Sequence, residues 1–259
     1  MLHRIVFLVV LSVSVLLPGY AQSPDHKGCD KIPDTLNCKL FDDFESDVPG
    51  TPPEKWRALS GGTPVPLTKG NVMTDRKNIF VREENGNQFG RIDTDAKALR
   101  VALPLKDNGV DWNLDKRPVL KWRWRAKALP EGGDETRNST NDTGGALYVT
   151  FGTDWLGRPK SIKYTYSSTL PAGTSASYGA LKVLVVASKN EQGIDKWVRH
   201  ERNVIEDYKK LFGSSPGRTP AGMAIWSDSD TLNETATVDF DDIVVLSGRT
   251  GGSSTAVSP

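Results

Sequence analysis

Leu120-Lys121-Trp122-Arg123-Trp124-Arg125-Ala126-Lys127 decides the fold class. Leu120, Trp122, Trp124 and Ala126 fall on one side of an extended chain; Lys121, Arg123, Arg125 and Lys127 fall on the other. An apolar set alternating with a cationic set is a half-buried strand, because successive side chains point to opposite faces. A helix would mix both sets on every face. Pro130 and Gly132-Gly133 end the run.

Residues 78–81 and 98–103 read as short strands with an Asn85-Gly86-Asn87 turn between them. Further strands fall at 146–151, 162–166, 181–187, 222–226 and 237–246, and residues 131–145 form a polar loop. One short helix is expected near residues 203–212. Asn203 is its N-cap, Val204, Tyr208, Leu211 and Phe212 share a face, and Gly213 is its C-cap. About ten short strands and one helix predict an all-β fold, an antiparallel β-sandwich of jelly-roll, galactose-binding-like or concanavalin-like type. The expected organisation is a signal peptide at 1–21, a polar segment at 22–39, one sandwich domain at 40–248 and a disordered tail at 249–259.

The leader rests on Arg4, an apolar run of 13 residues at 5–17, and Gly19 and Ala21 before the cut. That run is too short to span a bilayer, so no stable membrane anchor is expected. An exported protein, periplasmic or extracellular, follows. In that compartment Cys29 and Cys38 read as one disulfide. Closing so short a loop contributes about 2–3 kcal/mol. The chain has 259 residues, 33 Lys and Arg, and 32 Asp and Glu. Losing Arg4 makes the rest formally neutral, which argues against nucleic acid as a partner and against a polybasic membrane binder.

Neutrality conceals two blocks. One is the cationic face of residues 121–127. The other is residues 219–248, which hold six acids and no Lys or Arg before Arg249. Either the cations, with Arg123 and Arg125 foremost, bind an anionic polysaccharide, or the two blocks pair across a sheet. Pairing needs no ligand and suits the neutral total, so it is the preferred reading. Trp122 and Trp124 then belong to the core.

Three segments carry a family resemblance. Leu120-Lys121-Trp122-Arg123-Trp124-Arg125 precedes Leu129-Pro130-Glu131-Gly132-Gly133-Asp134-Glu135. Trp197 precedes Arg202-Asn203-Val204, Asp207-Tyr208 and Phe212-Gly213. Ile225-Trp226-Ser227-Asp228-Ser229-Asp230-Thr231 precedes Asp241-Asp242-Ile243. In order and spacing these resemble a bacterial family of exported proteins, domain of unknown function 3047, over residues 40–246. Ser227 and Leu232 depart from the Thr and Asn expected there. The resemblance implies no activity. A looser one, to jelly-roll carbohydrate-binding modules, rests on Phe41-Asp42-Asp43-Phe44-Glu45 and Phe240-Asp241-Asp242-Ile243. It implies adjacent terminal strands sharing a structural Ca²⁺.

Hard cations want clustered carboxylate oxygens, so Asp43, Glu45, Asp239 and Asp242 are the candidate calcium ligands. Asp228-Ser229-Asp230 is a second candidate. The bland alternative is a solvated acidic edge. Candidate sugar-stacking rings are Trp155, in a glycine-bounded loop, Trp112, and the pair Tyr164 and Tyr166; ordinary packing is the alternative for each. Glu135, Asp228 and Asp230 are candidate polar contacts. Hydrolytic chemistry is poorly marked. His200 reads as a surface residue, and no Gly-x-Ser-x-Gly stands in the chain. A glycosidase would draw on Glu135, Asp142 and Asp228; a lyase would use Tyr164, Tyr166 and Arg123. No catalytic residue is assigned. The leading expectation is a non-enzymatic sandwich that binds a carbohydrate or cell-envelope glycan. The alternatives are a polysaccharide-cleaving enzyme and an envelope scaffold or interaction protein.

Overall fold

The structure is a computed structural model that describes residues 27–30, 32–60, 63–70, 72–105 and 111–248. The expected signal peptide and tail lie outside these residues. In chain order the strands are β1 (Lys39–Asp42), β2 (Arg57–Ser60), β3 (Thr63–Pro66), β4 (Lys77–Glu84), β5 (Asn87–Asp95), β6 (Ala98–Leu103) and β7 (Val119–Ala128). They continue as β8 (Thr143–Thr153), β9 (Pro159–Ser167), β10 (Ser175–Tyr178), β11 (Leu181–Ser188), β12 (Val198–Asn203), β13 (Gly222–Asp228) and β14 (Thr235–Leu246). The helices are α1 (Lys27–Asp30), α2 (Lys189–Gln192) and α3 (Val204–Phe212).

Two sheets pack face to face. The first runs β12-β7-β14-β5-β4, with β1 paired to the far end of β14 beyond β5. The second runs β10-β11-β9-β8-β13-β6-β2-β3. The sandwich is antiparallel as expected, apart from β9 and β11, which pair parallel. The terminal strands β1 and β14 are indeed neighbours, with Asp42 opposite Ile243.

The alternation in β7 holds. Leu120, Trp122, Trp124 and Ala126 are buried against the second sheet. The Trp122 ring lies 5.5 Å from the Tyr164 ring of β9, and Trp124 lies 5.6 Å from Tyr166. Such ring pairs add about 0.5–1.5 kcal/mol each beyond area burial. Close approach also needs missing side chains. A Cβ on Gly90 would sit 2.6 Å from the Phe44 ring, and one on Gly145 would sit 2.9 Å from Val238.

α3 begins where Asn203 accepts the N–H groups of Ile205 and Glu206, and ends at Gly213, whose φ is 69°. Its Asp207 points inward, accepting the Tyr164 hydroxyl at 3.0 Å and Arg202 Nε at 2.9 Å. The Cys29–Cys38 disulfide is formed. It packs with Ile32 against Val119, Val244 and Leu246, tying the N-terminal segment to the first sheet.

The two charge blocks pair through Arg123 and Arg125. On the outer face of the first sheet, Asp239 is fully buried and accepts bonds from Arg91 and Arg125. Arg125 also reaches Glu84 at 2.7 Å. Arg123 bonds Asp241 at 2.6 Å and Asp242 at 2.9 Å. The Trp197 ring covers both guanidiniums, at 4.7 and 4.9 Å. Both arginines are thus engaged within the fold by carboxylates and a ring.

Candidate functional site

The site grows from the outer face of the second sheet, where the outward positions are unusually small. β6 presents Ala98, Arg100 and Ala102; β13 presents Ala224, Trp226 and Asp228; β8 presents Ala146, Tyr148 and Thr150. The registers place Arg100 opposite Trp226, and Tyr148 opposite both Ala224 and Lys163 of β9. One row of large side chains thus crosses four strands between alanines. The Arg100 guanidinium lies 5.1 Å from the Trp226 ring centroid, Trp226 lies 5.7 Å from Tyr148, and Lys163 Nζ lies 5.9 Å from the Tyr148 ring.

Two hollows flank this row. β2 pairs with β6 only through Arg57 and Ala58 and then splays away. The gap opens a cleft of about 540 Å³, bounded by Trp226, Arg100, Leu59, Lys69 and Lys77. A groove of about 400 Å³ runs the other way over Ala102, Ala224, Tyr148 and Leu181 toward Pro159. Trp226 and Arg100 line both hollows. Trp226 is half-buried and lies outside the main core.

Beside the row is a carboxylate cluster. Ligand atoms of Asp142, Asp228 and Asp230 lie within 4.8 Å of one another, the one such acidic triplet among the described residues. Asp142 is buried and accepts the N–H groups of Thr231 and Leu232. Burial, with the charges of Asp230 and Asp142, pushes the Asp228 carboxyl up to about 6, against the pull of Lys163. Lys163 is itself buried, which lowers its pKa, while Glu135, Asp228 and Asp142 act to keep it charged. Its Nζ donates to the Thr143 hydroxyl at 2.9 Å, and that hydroxyl donates to Glu135 at 3.3 Å. Glu135 is fully buried and also accepts from Ser167 at 2.6 Å; burial raises its pKa.

The expected site residues scatter. Trp155 is exposed (88 %) at the tip of the β8–β9 hairpin, beside exposed Leu156. Asp228 stands at the other end of the strands, opposite Thr143. Trp112 is not a platform: it is fully buried, edge-on to Phe41 at 5.3 Å, and donates Nε1–H to the Arg117 carbonyl. Tyr164 and Tyr166 are likewise core, with hydroxyls on Asp207 and on the Gly193 carbonyl. Glu135 is sealed beneath its loop, so it does not face a ligand. His200 is not a surface residue. It packs on Trp122 and Trp124 at 5.1 and 5.3 Å, and burial lowers its pKa to about 4.

The four candidate calcium ligands do not converge. Asp239 is saturated by Arg91 and Arg125, so it does not fit a metal. Glu45 accepts the Gln88 N–H at 3.2 Å. Asp43 and Asp242 each keep one buried oxygen without a hydrogen-bond partner, Oδ2 and Oδ1, although the other Asp242 oxygen is held by Arg123. Missed by the sequence reading were Trp226, Arg100, Tyr148 and Lys163. The signal was the Ala-large-small alternation at their outward positions.

A family model described as protein of unknown function (DUF3047) matches residues 68–244. The chain belongs to the DUF3047 family. No curated protein matches it in sequence. Among solved structures, this DUF3047 chain is similar to the family 11 carbohydrate-binding module of cellulosomal cellulase Lic26A-Cel5E of Clostridium thermocellum. The identity is 9 %, the TM-score is 0.39, and the alignment covers 82 % of this chain and 96 % of that one. It is also similar to endoglucanase cel12A from Rhodothermus marinus, at 8 % identity and TM-score 0.38, covering 74 % and 95 %. A third is the CBM22-1 xylan-binding domain of Paenibacillus barcinonensis Xyn10C, at 12 % and TM-score 0.34, covering 82 % and 94 %. Among the described residues, no helix is long and apolar enough to cross a membrane.

Proposed function

We propose that this DUF3047 protein binds a carbohydrate along the outer face of its second sheet, with Trp226 as the stacking ring. The observation that carries the reading is the position of Trp226. It stands half-buried between two hollows, on strands whose other outward residues are largely alanine. Apolar hollows with a few convergent polar groups are the usual setting for small-molecule and saccharide recognition. Indole presents a flat face to sugar C–H groups, and Arg100 stands within reach of hydroxyls or anions. A glycan array with the wild-type chain and Trp226→Ala tests this. The expected result is a set of hits that Trp226→Ala loses; an array without hits would overturn it.

Asp228 favours a second reading, a polysaccharide-cleaving enzyme. Its carboxyl titrates near 6, two residues from Trp226 on the same face, beside Asp142 and Asp230. A carboxyl held partly protonated near neutrality suits general acid catalysis. Incubation with a polysaccharide panel, followed by reducing ends and unsaturated-uronate absorbance, separates binding from cleavage. Cleavage that Asp228→Asn abolishes would favour the enzyme.

A structural calcium ion is proposed beside the terminal strands, held by Asp43 and Asp242, whose orphaned oxygens suit a hard cation. Export to the periplasm or beyond agrees with the disulfide, which such compartments sustain.

A further inference from the structure

The cleft beside Trp226 is lined by three cations and no carboxylate: Lys69, Lys77 and Arg100. None of the three forms an ion pair among the described residues. In this they differ from the arginines of the first sheet's outer face. Arg91, Arg123, Arg125 and Lys127 each have carboxylate partners on the first sheet, and Lys163 is buried amid Glu135, Asp142 and Asp228. All three face one hollow. They come from separate places: the loop after β3, the start of β4 and the middle of β6. Only the splay of β2 from β6 brings them around one space. We infer that the cleft takes an anionic glycan, its uronate carboxylates or sulfates resting on Lys69, Lys77 and Arg100 while a sugar ring meets Trp226. The inference rests on the carbohydrate reading above and narrows its ligand class.

The chemistry fits the lining. Guanidinium and ammonium groups make charge-assisted bonds to carboxylate and sulfate oxygens, about twice as strong as neutral ones. The lining also includes apolar Ala58, Val65 and Leu99, over which long lysine stems can lie while their charges stay in water. A neutral glycan would leave these three cations without a counter-charge.

Affinity electrophoresis of the full chain tests this in gels holding five polymers. They are polygalacturonate, its carboxyl-reduced form, a sulfated galactan, neutral xylan and polyglutamate. The expected result is retardation by polygalacturonate or the sulfated galactan, weakened by salt and absent with the reduced polymer. Lys69→Ala/Lys77→Ala should weaken it by about tenfold or more, with the melting temperature unchanged. Lys69→Ala alone serves if the double variant does not fold. The two anionic arms tell carboxylate from sulfate. Equal retardation by polygalacturonate and its reduced form, independent of the lysines, would overturn the anionic class and leave the carbohydrate reading standing. Equal retardation by polyglutamate, independent of Trp226, would overturn the carbohydrate reading itself. No retardation by any polymer would overturn both.

Discussion

Replacing Asp239 by alanine should destabilise the protein far more than the loss of an exposed ion-paired carboxylate. Asp239 has no exposed side-chain area, and its oxygens accept four contacts of 2.6–3.0 Å from Arg91 and Arg125. The Arg125 side chain is 8 % exposed and the Arg91 side chain 23 %. Deleting the carboxylate leaves buried Arg125 and partly buried Arg91 without their main counter-charge; Arg125 keeps Glu84 at 2.7 Å and Asp195 at 4.0 Å, whereas Arg91 keeps no ion pair among the described residues. Breaking a buried pair from one side costs about 3–5 kcal/mol. For a domain of this size, each kcal/mol moves the melting point by about 2–4 °C, so a drop on the order of 6–20 °C is expected. The control is Asp95→Ala. Asp95 pairs with Arg76, and both side chains are about half exposed, 53 % and 52 %. Such a pair contributes about 0–1 kcal/mol. Scanning calorimetry of the two variants in one buffer makes the comparison. Replacing Asp239, Arg91 and Arg125 together by Leu, Leu and Met should recover much of the loss, because a buried ion triad is replaceable by packing. If Asp239→Ala melts within a degree or two of Asp95→Ala, the claim that the two charge blocks hold the first sheet together is wrong.

His200 gives a pH prediction. Its pKa is about 4 when folded and 6.5 when free, so the unfolded chain takes the proton first. Its stabilising contribution is complete above pH 6.5 and is lost as pH falls toward 4, by about 3 kcal/mol. Asp228 and Asp241, raised from 3.8 to about 6 and about 7, act in the opposite sense over the same window, because there the folded chain holds the extra proton. The observable is therefore a difference: in urea melts, wild type should lose its advantage over His200→Gln between pH 7 and pH 4. A gap constant with pH would refute the burial of a neutral imidazole. Chelation should lower the melting temperature, and Asp242→Asn should abolish that shift; identical scans with EDTA and with Ca²⁺ would remove the calcium proposal. Cys29→Ser/Cys38→Ser should cost about 2–3 kcal/mol without unfolding the sandwich, read by urea melts under oxidising conditions.

Some of this was legible in the chain and some was not. β7 was plain because its two faces differ completely, one apolar and one cationic. The strands β5 and β12 were missed for the converse reason. In β5 the inward residues include Gln88, Gly90 and Thr94, so no apolar period stands out. β12 alternates Arg199 and Glu201 with His200 and Arg202, which looks like a charged loop until Trp122 and Trp124 are seen beneath His200. The tyrosines were misjudged although the alternation with Lys163 and Thr165 already turned Tyr164 and Tyr166 inward. Trp112 looked exposed because its neighbours are polar, yet Phe41 from a distant strand covers it. Trp226 was hidden more deeply. Met223 and Ile225 face in while Ala224 and Trp226 face out, so both sides of β13 are apolar and only the position of the other sheet decides between them.

The measurement that bears most directly on the carbohydrate-binding claim is titration calorimetry of the wild-type chain and Trp226→Ala with the strongest hit from the array. Binding should fall by about tenfold or more in Trp226→Ala, as loss of a stacking ring requires, while the melting temperature stays close to wild type. Equal affinity in the two proteins would contradict the assignment of Trp226 and with it the site on the second sheet.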